Sequence, residues 1–182
     1  MKNRLPRGLR LNNPCCLTHS QSEWQGKSAD QPDPKFVKFD TLAYGYRAAF
    51  KLLNRYHYWY KLQTAHDIMH RFAPTYDNNN TQLYIDIICR YLSPSILRRQ
   101  WGLSPLGGAA GTSSGCCKHP IRPQGEGEKA PDLSRVILPA PPDDQNLWSR
   151  FLTIITKVEQ GIDIKEVDQE AIAEGYRMAF GK

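Results

Sequence analysis

Residues 40–60 read DTLAYGYRAAFKLLNRYHYWY and form the most regular helical pattern of the chain. Asp40 and Thr41 are both residues that can cap the start of a helix. Apolar and aromatic residues then recur at helical spacing, at Leu42, Tyr46, Ala49, Phe50, Leu53, Tyr56, His57 and Tyr60. Lys51 and Arg55 fall on another face. The stretch therefore predicts an amphipathic helix that begins after Thr41 and buries its aromatic face.

Two shorter helical patterns follow the long one. The first covers about residues 64–72 and ends before Pro74, because proline is disfavoured in the interior of a helix. The second begins at Asn80-Thr81. Ser93-Pro94 then resembles a new helix start, because serine is a good cap and proline suits the first turn. We therefore expect the second pattern to break at Ser93 and a further helix to end at Gly102.

The residues before the long helix have an extended pattern. Cys16-Leu17-Thr18 and Phe36-Val37-Lys38-Phe39 are short and contain the aromatic and β-branched residues that strands favour. The sequence therefore predicts a mainly α fold, with a short extended or β-like region ahead of the long helix.

Charge and composition divide the 182 residues into three parts. Residues 1–104 hold 15 Lys and Arg against 7 Asp and Glu, a net charge of +8, and residues 105–182 hold 9 against 11, a net charge of −2. Six Gly and seven Pro lie without a period in residues 105–146, which is typical of a disordered or low-complexity linker. We predict a domain over residues 1–104, a Gly/Pro-rich linker over 105–146 and C-terminal amphipathic helices over 147–182.

The C-terminal part carries two helical patterns. One stripe consists of Leu147, Phe151, Ile154, Ile155 and Val158, and Gly161 ends it. Asp163-Ile164-Lys165-Glu166 then resembles a capping box ahead of a last helix. Helices this short need a surface to pack on. We expect them to dock on the N-terminal domain, with docking on each other or on a partner as the alternatives.

A series of short motifs runs in order through the N-terminal half. The motifs are Arg7-Gly8-Leu9-Arg10-Leu11-Asn12-Asn13-Pro14, Trp24-Gln25-Gly26, Phe36-Val37-Lys38-Phe39-Asp40, Gly45-Tyr46-Arg47-Ala48, Arg71-Phe72-Ala73-Pro74 and Asn80-Thr81-Gln82-Leu83-Tyr84-Ile85. Over roughly residues 4–92 the series resembles the lysozyme-like proteins of phages and prophages that are often labelled structural proteins. Cys15-Cys16 stands where that family usually has Gly-Asn. The resemblance implies a small, mainly helical lysozyme-like fold and a role at bacterial peptidoglycan.

Glycan cleavage needs a carboxylic acid that protonates the leaving oxygen, and glycosidases add a second carboxylate as nucleophile or base. A lytic transglycosylase can act with one acid. Glu23 is the only Glu of residues 1–104, and desolvation by the neighbouring Trp24 would raise its pKa. Glu23 is therefore the candidate catalytic acid, and an exposed loop carboxylate is the alternative interpretation.

Polar and aromatic side chains supply candidates for sugar binding. The candidate substrate-binding residues are Arg10, Asn12, Asn13, Trp24, Arg47, Tyr58 and Trp59. Asn and Arg side chains can hydrogen-bond sugar hydroxyls and N-acetyl groups, but they can equally tie a loop to the fold. A glycine inside a helix costs about 1 kcal/mol relative to alanine, so Gly45 indicates close backbone packing. Arg47 beside it is also explained as an anchor for the N-terminal loop.

The five cysteines are Cys15, Cys16, Cys89, Cys116 and Cys117. Their odd number argues against a disulfide framework. Zinc sites usually leave two or more residues between paired cysteines, and the two pairs here are adjacent. We therefore expect neither a metal nor a cofactor.

Three functions remain open from the sequence. The first is a peptidoglycan glycosidase or lytic transglycosylase that cleaves glycan strands. The second is a non-catalytic virion structural or wall-binding protein of the same fold, with virion proteins bound by the C-terminal helices. The third is non-specific nucleic-acid binding, which the +8 charge suits but no reader motif supports.

The sequence also bears on localisation. No apolar run approaches the roughly 20 residues of a membrane span, and the basic N-terminus lacks the apolar stretch of a signal peptide. We therefore expect no membrane span and no signal peptide. The protein would be made in the bacterial cytoplasm and then join a virion or be exported by another route.

Overall fold

The computed structural model describes residues 5–101 and 132–181, and the side chains of residues 5–92 and 132–181. These residues are mainly helical, as the sequence predicts. The helices are α1 (Arg7–Arg10), α2 (Leu42–Tyr58), α3 (Ala65–Phe72), α4 (Thr81–Trp101), α5 (Gln145–Gln160) and α6 (Gln169–Phe180). Single 3₁₀ turns lie at Thr75–Asp77, Leu133–Arg135, Pro141–Asp143 and Ile164–Glu166.

Four of the described helices begin where a side chain accepts a hydrogen bond from a free backbone N–H. Thr41 caps α2, Thr64 caps α3, Asp144 caps α5 and Asp168 caps α6. Each such cap contributes about 1 kcal/mol. The capping box expected at Asp163 is present, and it closes the 3₁₀ turn that precedes α6.

Helix α4 continues through Ser93-Pro94, so the expected break at this position is wrong. Proline has the backbone φ of a helix and removes one N–H donor, which weakens a helix locally without forcing it to end. Gly102, the expected helix end, lies outside the described residues.

The region before α2 is extended and pairs only at single points. Thr18 and Phe36 form an antiparallel bridge, and so do Lys27 and Phe39. The backbone N–H of Val37 donates to the carbonyl oxygen of Leu17 at 3.0 Å between nitrogen and oxygen. The two segments predicted to be extended therefore lie side by side, but within the described residues they do not lengthen into strands.

Helix α2 lies in the core and makes its most extensive helix contact with α6. Gly175 of α6 makes this approach possible, because a Cβ there would lie 2.7 Å from the Cβ of Tyr46 and 2.8 Å from the carbonyl oxygen of Ala43. The rings of Phe50 and Tyr176 meet edge to face, with their centres 5.2 Å apart. Helix α5 packs on α4 and α6. The C-terminal helices thus dock on the N-terminal half of the same chain.

The segment leading into α5 is joined to the core. The backbone N–H of Leu138 donates to the carbonyl oxygen of Gln63 at 2.7 Å, and the indole N–H of Trp148 donates to that of Pro139 at 3.1 Å. The part of the predicted linker over residues 105–131 lies outside the described residues. None of the helices in the described ranges has the length and apolar character needed to cross a membrane.

Candidate functional site

A cleft of about 380 Å³ lies where the N-terminal loop, α2, α5 and the turn after α3 meet. This volume is within the range of small-ligand sites. Three of the six motifs contribute to its lining, through Trp24, Phe36, Arg71, Phe72 and Pro74. Cys15 and Cys16, which follow the first motif, also line it. Half of the motif series therefore meets at this cleft.

The loop before the cleft is held by two asparagine side chains. The amide of Asn13 is fully buried; its Nδ2 donates to the carbonyl oxygens of Leu17 and Val37 at 2.8 and 2.7 Å, and its Oδ1 accepts from the Leu17 N–H. Asn12 has a positive φ of 53°, which asparagine tolerates well, and its Nδ2 donates to the carbonyl oxygen of Phe39 at 3.0 Å. In this geometry both side chains tie the loop to the fold.

Arg10 and Arg47, the two arginines among the candidate substrate-binding residues, lie outside the cleft lining. Arg10 donates from Nε to the carbonyl oxygen of Leu5 at 3.1 Å. Arg47 is half-buried, and its Nε has no hydrogen-bond partner within the described part of the chain. The close packing expected at Gly45 is present, since a Cβ there would overlap the carbonyl oxygen of Asn12. The first motif and the helix motif are thus packed directly against each other.

The structure separates the remaining sequence-derived candidates. Trp24 lines the cleft, and its indole N–H is buried without a hydrogen-bond partner among the described residues. Tyr58 and Trp59 are 51% and 77% exposed at the end of α2 and do not line the cleft. Glu23 is exposed and does not line it either. Of the candidate binding and catalytic residues, the cleft therefore brings in Trp24 alone.

Glu159 of α5 lines the cleft and is partly buried there. Its Oε1 accepts a hydrogen bond from the hydroxyl of Tyr84 at 2.8 Å, and the thiol of Cys16 donates to the same carboxylate. Burial raises the pKa of Glu159 above its ordinary value, although these two hydrogen bonds and the charge of Lys35 oppose the shift. Burial and, next, the charge of Glu159 raise the pKa of Cys16 to about 12, so this thiol stays protonated at neutral pH.

A hydrogen bond from Gln160, the residue after Glu159, holds α5 against the N-terminal loop. Gln160 donates from Nε2 to the carbonyl oxygen of Pro14 at 2.9 Å and contacts the sulfur of Cys16 at 3.3 Å. Glu159 therefore keeps its position relative to the loop through a bond that is independent of its own charge.

The turn after α3 contributes a second carboxylate to the cleft. Asp77 is exposed at the end of the 3₁₀ turn, next to Asn78, which has a left-handed φ of 61°. Asn79 donates from Nδ2 to the carbonyl oxygen of Pro74 at 3.2 Å and closes this turn. The cleft thus contains one carboxyl group, Glu159, in a desolvated site and one, Asp77, in contact with water.

The sequence held a signal for Glu159 that the search for an acid within residues 1–104 missed. Phe151, Leu152 and Ile155 of α5 are fully buried, and Glu159 is four positions after Ile155 on the same face. A carboxylate in line with a buried apolar face is unusual, because an unpaired buried charge is costly.

The structure offers no metal site among residues 5–92 and 132–181, where no three His, Cys, Asp or Glu side chains are grouped to hold an ion. Cys116, Cys117 and His119 lie outside the described residues.

The chain is similar to a bacteriophage protein. It is 34% identical over 89 residues to Protein P5 of Pseudoalteromonas phage PM2, a match that covers 47% of this chain and 55% of Protein P5. The matched region thus spans about half the length of that relative. No protein-family model matches the chain. The similarity supports the phage connection that the motif series implies.

Proposed function

We propose that this is a phage lysozyme-like protein that binds bacterial peptidoglycan in the cleft and cleaves its glycan strands. The observation that carries the proposal is Glu159, a carboxyl group of raised pKa in the cleft at which half of the motif series meets. The resemblance of residues 4–92 to lysozyme-like phage proteins supplies the substrate class. The similarity to a phage protein supports the origin.

Glu159 takes the role of general acid that the sequence alone assigned to Glu23. A protonated Glu159 would give its proton to the glycosidic oxygen as the bond from that oxygen to the anomeric carbon breaks. Water then completes hydrolysis at the anomeric carbon, with Asp77 as the candidate base. In a lytic transglycosylase the sugar's own hydroxyl would take the place of water, and Glu159 alone would suffice.

The pH dependence follows from the direction of the pKa shift. Only the protonated carboxyl can donate, so activity should fall as pH rises through the pKa of Glu159. Because burial raises that pKa, the alkaline limb of the pH–activity profile should lie above the ordinary pKa range of a glutamic acid.

The test is release of soluble muropeptides from purified peptidoglycan by the full-length protein. Glu159→Gln should reduce the rate about 10²-fold or more, the usual contribution of general acid catalysis. Glu23→Gln should leave it near wild type. Glu174→Gln is the matched control, because Glu174 is an exposed carboxylate on α6.

The same assay separates catalysis from binding. If the wild-type protein sediments with peptidoglycan but releases nothing, the cleavage step is wrong and the wall-binding alternative is correct. If Glu23→Gln abolishes release while Glu159→Gln retains it, the assignment of the acid is wrong. If the wild-type protein neither binds nor cleaves any wall preparation, the proposed function fails as a whole.

A further inference from the structure

A second depression of about 550 Å³ adjoins the cleft. Tyr56, Arg71 and Tyr76 line both spaces. Leu62, Asp67 and His70 complete the lining of the second one. The three shared residues therefore form a saddle over which a ligand longer than the cleft would pass.

Arg71 is held in this saddle by aromatic rings. Its guanidinium carbon, Cζ, lies 3.9 Å from the centre of the Tyr60 ring and 5.5 Å from that of Tyr56. These two rings meet edge to face, with their centres 6.2 Å apart. Arg71 also hydrogen-bonds the side chain of Tyr56. Stacking of this kind fixes the plane of a guanidinium, and its other N–H groups stay available to a ligand.

The charge of Arg71 is not neutralised by a neighbouring carboxylate. Within residues 5–92 and 132–181 no carboxylate lies within ion-pair distance of it. Asp67, which lines the second depression, is engaged elsewhere: it accepts hydrogen bonds from Thr64 and His66 and lies 3.9 Å from a nitrogen of Arg135. An exposed, oriented and unpaired guanidinium is suited to a planar anion, above all a carboxylate.

We propose that Arg71 binds a carboxylate of the glycan strand, so that the protein selects strands with acidic substituents over neutral strands of the same backbone. This inference rests on the proposed function. Peptidoglycan carries carboxylates on its peptides and on those lactyl groups that bear no peptide, whereas chitin has a related β-1,4-linked N-acetylglucosamine backbone without them. Arg71 is the arginine that lines both the cleft and the second depression, so the saddle is the place where a strand that leaves the cleft would meet a guanidinium.

The experiment measures binding by the full-length Glu159→Gln protein, which serves as the parent because it would not cleave its ligand. The parent is compared with proteins that carry a second substitution. The probes are purified peptidoglycan, the same peptidoglycan with its carboxyl groups amidated, and chitin. Arg71→Gln is the test variant. Arg55→Gln is the matched control, because Arg55 also stacks on Tyr60, at 5.9 Å, but lines neither depression.

The parent protein should bind native peptidoglycan about tenfold more tightly than either neutral probe, as expected for one charge-assisted hydrogen-bonded pair. Arg71→Gln should lose this preference, and Arg55→Gln should keep it. If Arg71→Gln is poorly folded, Arg71→Lys takes its place, because lysine keeps the charge without the planar fork. The comparison of native with amidated peptidoglycan by the parent protein needs no variant of Arg71.

Two results would overturn the inference while the proposed function stands. One is equal binding of native and amidated peptidoglycan by the parent protein. The other is an unchanged preference in a folded Arg71→Gln protein. Failure of the proposed function looks different, because the protein would then bind none of the wall preparations and the wild type would release no muropeptides.

Discussion

Gly45→Ala tests how tightly the first motif is packed against α2. Alanine favours a helix over glycine by about 1 kcal/mol, so without tertiary contacts the substitution would stabilise the protein. Here the new methyl group would overlap the carbonyl oxygen of Asn12 and lie 2.9 Å from the Cδ of Pro14. A carbonyl oxygen is backbone and cannot rotate away, so either the loop or the helix must move.

The magnitude follows from the groups that such a movement disturbs. Overpacking of this kind costs about 1–3 kcal/mol. Displacing the loop also strains the hydrogen bonds from Asn12 to the carbonyl oxygens of Phe39 and Asp40, at 3.0 and 3.1 Å, each contributing about 1 kcal/mol. After the propensity gain is subtracted, we expect a net loss of about 1–3 kcal/mol in the free energy of unfolding.

This loss is measured by unfolding the protein in urea, with far-ultraviolet circular dichroism as the probe. With a slope of about 1–3 kcal/mol per molar urea, the midpoint should fall by about 1 M at an unchanged slope. Gly161→Ala is the control: its positive φ of 63° costs about 1 kcal/mol, but no atom lies within 4 Å of the new methyl group. Gly45→Ala should also weaken peptidoglycan binding, and Gly161→Ala should not. A Gly45→Ala protein as stable as wild type would refute the reasoning.

Three further variants test other parts of the fold. Asn13→Ala removes a buried amide that makes three hydrogen bonds and should cost about 3 kcal/mol in urea unfolding; a loss below about 1 kcal/mol would contradict its role in the loop. Trp148→Phe leaves the carbonyl oxygen of Pro139 without its donor and should cost about 1–3 kcal/mol in the same assay, whereas no loss would contradict docking through this bond. Arg7 binds Asp33 through two hydrogen bonds, which lower the pKa of Asp33, so this pair stabilises the fold above the ordinary pKa of the carboxyl and loses its effect as pH falls. The midpoint difference between wild type and Arg7→Ala should therefore be present at pH 7 and shrink below about pH 4, and a difference independent of pH would contradict the pairing.

Local sequence signals were enough to predict most of the helices. The cap at Thr41, the stop before Pro74 and the capping box at Asp163 all act through neighbouring residues, so their signals are local. The break expected at Ser93 is wrong because a cap signal is local too and does not say whether the preceding helix has ended. The cost of a glycine in a helix predicts the close packing at Gly45, but it does not identify Asn12 as the residue packed there.

The site could not be predicted in the same way, because it is assembled from distant parts of the chain. Glu159 reaches the cleft only through the docking of α5, and the bond from Gln160 to Pro14 joins residues 146 positions apart. The half with the motifs contains a single glutamate, Glu23, which neighbours Trp24 in the sequence but is exposed to solvent. The burial that can turn a carboxylate into a proton donor is a property of the packed helices. A carboxylate in register with a buried helix face, as Glu159 is, is desolvated by the packing of the helices, whereas Glu23 beside Trp24 in the sequence stays exposed.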